Sequence, residues 1–206
     1  MKVLIACEES QAVCREMRRL GHEAYSADIQ DCSGGHTEWH IKGDVLPLIN
    51  GRCTFVTCDG IMHETPDRWD MLIAHPPCTF LTKAGANLMR VNGDIVLDRY
   101  AKALAAREFF LKFLSADCNH IAVENPVPLS IVGLPRYSQL IQPFEFGDPY
   151  SKKTCLWLKG LPSLMGTVIC SDYVSYTSLH RSAKMRSKTF PGIAAAMADQ
   201  WSQYLR

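Results

Sequence analysis

The chain has 206 residues, 47% of them hydrophobic and 21% charged, with a formal net charge of +1. That length supports one domain with a sizeable core, and a charged fraction near the globular average excludes general disorder. No apolar run approaches the ~20 residues that span a bilayer. Nine cysteines, an odd number without tight pairing, point to reduced thiols in a cytoplasmic compartment rather than a disulfide framework. The small net charge hides an asymmetry: residues 1–149 carry 14 Lys/Arg against 19 Asp/Glu, and residues 150–206 carry 8 against 2. A basic C-terminal quarter can concentrate an anionic partner, and equally such charges can simply solubilise a surface.

In chain order, residues 2–7 read as a buried strand, too short an apolar run for a signal-peptide core. Ser10 is placed to cap a helix reaching about Leu20, with Val13, Met17 and Leu20 at helical spacing and Gly21 as the stop. A second strand over 23–27 ends at Asp28, and a polar loop leads to a third over 40–44. Asn50-Gly51 is a strong hairpin signal; 53–58 is strand-like and Asp59-Gly60 a second turn. The apolar strand 69–74 runs directly into His75-Pro76-Pro77-Cys78. A long helix covers about 98–115, with apolar positions 101, 104, 105, 109, 110, 113 and 114 as its core face. Strand 120–123 ends at Glu124-Asn125-Pro126, a late strand covers 154–158, and an amphipathic helix covers 193–204. Strands alternating with helices predict an α/β fold with a mainly parallel sheet flanked by helices. In such a sheet, functional residues gather beyond the carboxyl ends of the strands. Cys7-Glu8-Glu9, Asp28, His75 to Cys78, and Glu124 to Pro126 all fall there.

Two of these spots carry chemistry. Two prolines stiffen the turn before Cys78, and a stiff turn can hold a thiol at a fixed angle as a nucleophile. A buried structural cysteine is the commoner fate of a free thiol. A carboxylate at a neighbouring strand end, Glu124, can hydrogen-bond or protonate a bound base. Cys32, His36 and His40, with Cys53, Cys58 and His63 further on, could be zinc ligands, but no Cys-x-x-Cys pair exists and no metal is expected. His75 could line the pocket, but reads rather as a local structural variation. Tyr173 and Tyr176 could stack on bases.

Pro76-Pro77-Cys78 and Glu124-Asn125, each closing a strand and separated by a long helix, resemble the nucleophile loop and Glu-Asn dipeptide of the DNA (cytosine-5) methyltransferase family. Residues 4–28, Gly43-Asp44-Val45, Gly147-Asp148-Pro149 with Lys152, and Pro191 with the final helix resemble further motifs of that family. The resemblance implies a Rossmann-like class I methyltransferase fold over the whole chain, 1–206, and S-adenosyl-L-methionine as cofactor. Cys7, Glu8, Glu9, Asp28, Asp44 and Pro76 would hold it. Cys78 would add to C6 of a flipped cytosine, with Glu124 at N3 and Asn125 beside it, so that C5 takes the methyl group. The substrate implied is DNA.

The chain departs from the family pattern in several places. Its first loop, Ala6-Cys7-Glu8-Glu9-Ser10, has no glycine. Thr79, Thr154 and Pro126 stand where Gln, Arg and an aliphatic residue are usual. Only a short basic segment, about 161–188, occupies the place of a target-recognition region. Lys152, Lys153, Lys184, Arg186 and Lys188 are expected to hold a nucleic-acid backbone, and a partner subunit could supply recognition. No membrane association is expected, and the compactness suits a phage or mobile element. Alternative readings are a non-catalytic nucleic-acid- or cofactor-binding protein, including an inhibitor, on a methyltransferase scaffold, and a methyltransferase acting on free nucleotides or on an amino group.

Overall fold

The computed structural model describes residues 1–82, 88–176 and 187–205. Its strands are β1 (Lys2–Ala6), β2 (Glu23–Asp28), β3 (His40–Lys42), β4 (Cys53–Val56), β5 (Met62–Thr65), β6 (Met71–Ala74), β7 (Arg90–Val91), β8 (Asp94–Ile95), β9 (Ile121–Pro126), β10 (Gln139–Ile141), β11 (Tyr150–Ser151), β12 (Thr154–Lys159) and β13 (Val174–Ser175). Three α-helices are described: α1 (Ala12–Arg19), α2 (Leu97–Leu114) and α3 (Pro191–Tyr204).

Seven strands form one sheet in the order β10-β12-β9-β6-β1-β2-β3. β3, β2, β1, β6 and β9 are mutually parallel, whereas β12 runs antiparallel to both β9 and β10. Numbered by their sequence order within this sheet, the strands read 3-2-1-4-5-7-6, with only the seventh reversed. β1 is apolar from Val3 to Ala6 because both of its faces are covered. Val3 and Ile5 pack with Val13 and Met17 of α1 and Ile193 and Met197 of α3. Leu4 and Ala6 pack on the opposite face with Phe110 and Phe113 of α2. The crossover between β3 and β6 contains no helix. Its β4–β5 hairpin instead packs Phe55 against Tyr25 of β2, with ring centroids 4.9 Å apart, and against the fully buried Trp69.

Four expectations are corrected. Asn50-Gly51 is not the hairpin turn; β4 and β5 are joined around Asp59-Gly60, with Thr57 N–H donating to the Ile61 carbonyl. A Cβ at Gly51 would lie 2.3 Å from the Asp67 carbonyl oxygen, so this glycine permits a close chain approach instead. β9 runs on through Glu124-Asn125-Pro126, because β12 pairs with these residues and extends the ladder past the predicted end. The buried side of α2 is Ala103, Phe110 and Phe113; Ala101, Leu104 and Ala105 are exposed. The seven apolar positions were too widely spread to fix one face. Finally, α1 begins at Ala12, and its free amides are taken by Glu8. Ser10 reaches only the Ala12 amide, at 3.5 Å.

The segment beyond Leu161 begins by docking on α3. Trp201 Nε1 donates to the Pro162 carbonyl, and Gln200 exchanges hydrogen bonds with the Met165 backbone. Lys184 and Arg186 lie outside the described residues. Among the described residues, no helix is long and apolar enough to cross a membrane.

Candidate active site

The chain leaves β1 through α1 toward β2 on one side, while β6 lies on the other, so the winding reverses between β1 and β6. An open parallel sheet has its natural crevice outside the carboxyl ends at such a point. A cleft of about 560 Å³ lies there, lined by residues following β1, β2, β3 and β6, by Phe109 of α2 and by residues 187–189. It brings Cys7, Glu8, Glu9, Asp28, Asp44 and Cys78 together, whereas Pro76, Glu124 and Asn125 are not among its lining residues.

The glycine-free first loop still makes a glycine-like bend. Cys7 and Gln11 both have φ 58°, the left-handed region, which costs an ordinary residue roughly 1–2 kcal/mol. Neighbours hold this geometry. Glu8 N–H donates to the Ala27 carbonyl. The fully buried Gln11 side chain donates to Ser26 Oγ (3.2 Å) and the His36 carbonyl (2.8 Å), and accepts from His36 N–H (3.0 Å). Ser26 Oγ in turn pairs with His40 Nδ1, and His40 Nε2–H donates to the Gln30 carbonyl. The glycine demanded by close approach is supplied from the facing loop: a Cβ on Gly34 would sit 2.6 Å from Gln11 Cβ and 2.7 Å from the Ser10 carbonyl.

Glu8 is spent on structure. Its carboxylate accepts from Val13 N–H (2.7 Å) and Cys14 N–H (3.2 Å), capping α1. Burial pushes its pKa from 4.5 to about 7, against the pull of His75 and the two amides, with Glu9 adding to the rise. The folded protein therefore keeps this proton more tightly than the unfolded chain does. The resulting stabilisation is complete below pH 4.5 and is lost as pH rises through about 7. Glu8→Gln removes the ionisable group, so wild-type stability is expected to fall relative to the variant by about 3 kcal/mol between pH 4 and pH 8. Urea unfolding of both proteins across that range checks this, and parallel pH profiles would contradict it.

Glu9 is different. It lines the cleft at 7% exposure, and neither carboxyl oxygen has a partner among the described residues. Asp28 closes β2; its Oδ1 accepts from Gln30 N–H and its carbonyl from Gly43 N–H, tying the ends of β2 and β3 together. Asp44 is exposed and accepts from Leu46 N–H. Burial, then the charges of Asp28 and Asp44, push the Cys7 thiol far up, so Cys7 stays protonated and lines the wall.

The two strand-end motifs meet. β6 and β9 pair through Ala74 and Val123, and beyond them His75 Nδ1 lies 3.3 Å from Glu124 Oε2. Asn125, 1% exposed, donates from Nδ2 to the Pro76 carbonyl at 3.3 Å, which makes it a clamp on the loop that leads to Cys78. Pro76 is correspondingly buried, and Pro77 lines the cleft in its place. Further along, Leu81 N–H closes a turn onto the Cys78 carbonyl, and Leu129 N–H donates to the Leu81 carbonyl. Burial raises the Glu124 pKa, but the hydrogen bond from His75 and the charges of Lys152 and His75 outweigh it and hold the carboxyl below its ordinary value. Its charge, after burial, pushes the neighbouring Cys155 thiol up to about 11.

Of the basic residues expected to hold a nucleic-acid backbone, Lys152, Lys153 and Lys188 are among the described residues. Lys188 lines the cleft and donates to Ser33 Oγ, closing the lip over the loop after β2. Lys152 lies over the Phe190 ring and acts electrostatically on Glu124. Lys153 is exposed. Tyr176 is buried edge-on against Tyr150 and Phe190, and Tyr173 is stacked on Phe144 at 4.1 Å, so Tyr176 is no base platform and one face of Tyr173 is taken. Asp148 caps α3 by accepting from Gly192 N–H. The histidines weighed as zinc ligands have other partners: His36 stacks on Trp39, and His63 bonds Tyr25 and Thr57. Sequence reasoning undervalued His75, whose position directly at the strand end was the available signal. Gln11 and Gly34 carried none.

No family model matches the chain, and no curated protein matches it. Among solved structures, it is similar to a candidate DNA modification methyltransferase encoded within an E. coli prophage, at 13% identity and a TM-score of 0.45, over 85% of this chain and 53% of the other. It is similar also to the Entamoeba histolytica methyltransferase EhMeth, at 13% identity and a TM-score of 0.43, over 82% of this chain and 57% of the other. The chain thus spans little more than half the length of either.

Proposed function

We propose that the protein is an S-adenosyl-L-methionine-dependent methyltransferase acting on C5 of cytosine in DNA, with Cys78 as nucleophile, on a Rossmann-like class I fold. The observation that carries this reading is the buried, unpartnered Glu9 carboxyl lining the same cleft as Cys78, at the switch point of the sheet. A buried carboxyl without a donor is costly, so a ligand presenting a cation or an N–H belongs beside it. The cofactor has both an ammonium and a sulfonium. The residues present fit it: Glu9 for the ammonium, Asp28 for the ribose hydroxyls, Asp44 for the adenine amine and Lys188 for the carboxylate. About 560 Å³ is within the range of small-molecule sites. When bound, the cofactor supplies an electrophilic methyl group.

The chain's own residues do the rest. Cys78 adds to C6 of the pyrimidine, which makes C5 carbon nucleophilic. Glu124 faces the base edge and supports the adduct at N3. Asn125 fixes the loop that aims the thiol. Loss of the C5 proton then releases Cys78.

The lysines support a second reading. Lys188 lines the cleft and Lys152 acts on Glu124, which suits a compact phosphate-bearing substrate such as a free cytidine nucleotide. Titration calorimetry with adenosylmethionine, followed by tritiated-methyl transfer to DNA, RNA and cytidine nucleotides, tests both readings. Cofactor binding with transfer to DNA supports the first, and transfer confined to nucleotides replaces it with the second. Cofactor binding without transfer to any acceptor would leave only a binding protein on this scaffold.

A further inference from the structure

The pairing of His75 with Glu124 adds a proton to this cleft. We propose that the two side chains act as one proton-sharing pair in which His75 is the reservoir: its Nδ1 proton moves to Glu124 as Glu124 delivers a proton to N3 of the pyrimidine. The catalytic part of this inference rests on the cytosine-5 reading above, whereas the pair itself does not.

Four observations support it. His75 Nδ1 is 3.3 Å from Glu124 Oε2, and both side chains are nearly buried, at 6% and 11% exposure. The remaining atoms of the pair, His75 Nε2 and Glu124 Oε1, are buried without a partner among the described residues. Glu124 Oε1 thus has a lone pair that no described residue uses, while Oε2 faces the imidazole; Glu124 itself is not among the residues that line the cleft. His75 lines the cleft that Cys78 lines. Lastly, Pro76 follows His75 directly and its carbonyl is held by Asn125, so the backbone that carries the imidazole is pinned.

The chemistry requires such a reservoir. Glu124 is held in its charged form by His75 and Lys152, so alone it has no proton to give at neutral pH. When the Cys78 thiolate, its proton given up to solvent, bonds to C6, the C5=C6 electron pair moves toward C5 and negative charge spreads over the ring. A proton passing from imidazolium Nδ1 to Glu124, and from Glu124 to N3, neutralises that charge and leaves a neutral imidazole. When the C5 proton departs to solvent and the C6–S bond breaks, the N3 proton returns along the same path, and the pair is restored. The groups facing His75 are Glu124 on β9, Glu8 after β1 with Glu9 behind it, and the Thr189 hydroxyl before α3, 3.5 Å from Nδ1. Lys152, ahead of β12, acts on Glu124. His75 is thus a positioning residue that acts on the base through Glu124.

The test has one arm that needs no activity. The His75 Cε1–H resonance is titrated by NMR in wild type and in Glu124→Gln. A shared proton predicts a midpoint lower in the variant, by about one pH unit or more; an unchanged midpoint overturns the pair, whatever the protein catalyses. The second arm compares wild type with His75→Asn, whose amide reproduces the Nδ1 donor to Glu124 without a transferable proton. The expected result is unchanged cofactor affinity, a kcat reduced roughly 10²-fold or more, the scale of general acid–base catalysis, and an alkaline limb displaced to lower pH. A kcat lowered by one factor at every pH, or not lowered at all, overturns the reservoir role. If wild type transfers no methyl group while the His75 titration still responds to Glu124→Gln, the cytosine-5 reading and the relay to N3 fail, and the proton-sharing pair stands.

Discussion

Cys78→Ser is expected to abolish methyl transfer, with a loss of at least about 10⁴-fold, as for removal of a nucleophile elsewhere. Serine is nearly isosteric, but its hydroxyl ionises far less readily than a thiol and is a poor nucleophile toward C6. The fold should tolerate the change. Cys78 is half-buried, and its backbone contribution, the carbonyl accepting from Leu81 N–H, is unaffected by the side chain. Thermal unfolding and adenosylmethionine calorimetry on the variant, beside the transfer assay, separate chemistry from structure. Transfer that survives in Cys78→Ser would exclude the cytosine-5 mechanism and favour an amino-group target.

Glu9→Gln is expected to move two quantities in opposite directions. Losing a charge-assisted hydrogen bond should weaken adenosylmethionine about 10–100-fold, corresponding to roughly 1.5–3 kcal/mol. The ligand-free protein should at the same time become more stable, by about 1–3 kcal/mol, because a buried carboxyl without a partner is replaced by a neutral amide. Gains in stability at the expense of binding mark residues kept for function. A Glu9 that served only the fold would lose stability on substitution and leave affinity unchanged, and denaturant melts with and without cofactor distinguish the two cases.

What the sequence showed and what it hid follow from the range of the interactions concerned. β1, β6 and β9 were legible because burial on both faces demands unbroken apolar runs, and Cys78 and Glu124 were legible because they follow such runs; Asp28 was legible as the polar end of a second short strand. The end of β9 was not, since its pairing with β12 comes from a strand more than 25 residues downstream. The first loop after Ala6 has no glycine, the residue that usually makes a tight bend. Strain at Cys7 and Gln11, held by Ser26 and His36, together with the close approach of Gly34, produces the bend without it. Neither partner is near in sequence, so no local pattern could signal them. The basic C-terminal charge was correctly counted but not located: Lys188 lines the cleft and reaches Ser33, and Lys152 lies over the Phe190 ring. Composition fixes how many charges a segment has and says nothing about where they point.

The central claim is that Cys78 attacks a pyrimidine in the cleft beside a bound methyl donor. Incubating the protein with adenosylmethionine and DNA carrying 5-fluorocytosine tests it most directly. Fluorine cannot leave C5 as a proton does, so the thiol adduct is trapped. The account predicts a denaturation-resistant complex in which mass spectrometry finds the nucleotide on the peptide containing Cys78, and none with Cys78→Ser. Efficient methyl transfer to ordinary DNA with no covalent complex on the fluorinated DNA, or a complex through any other of the nine cysteines, would contradict it.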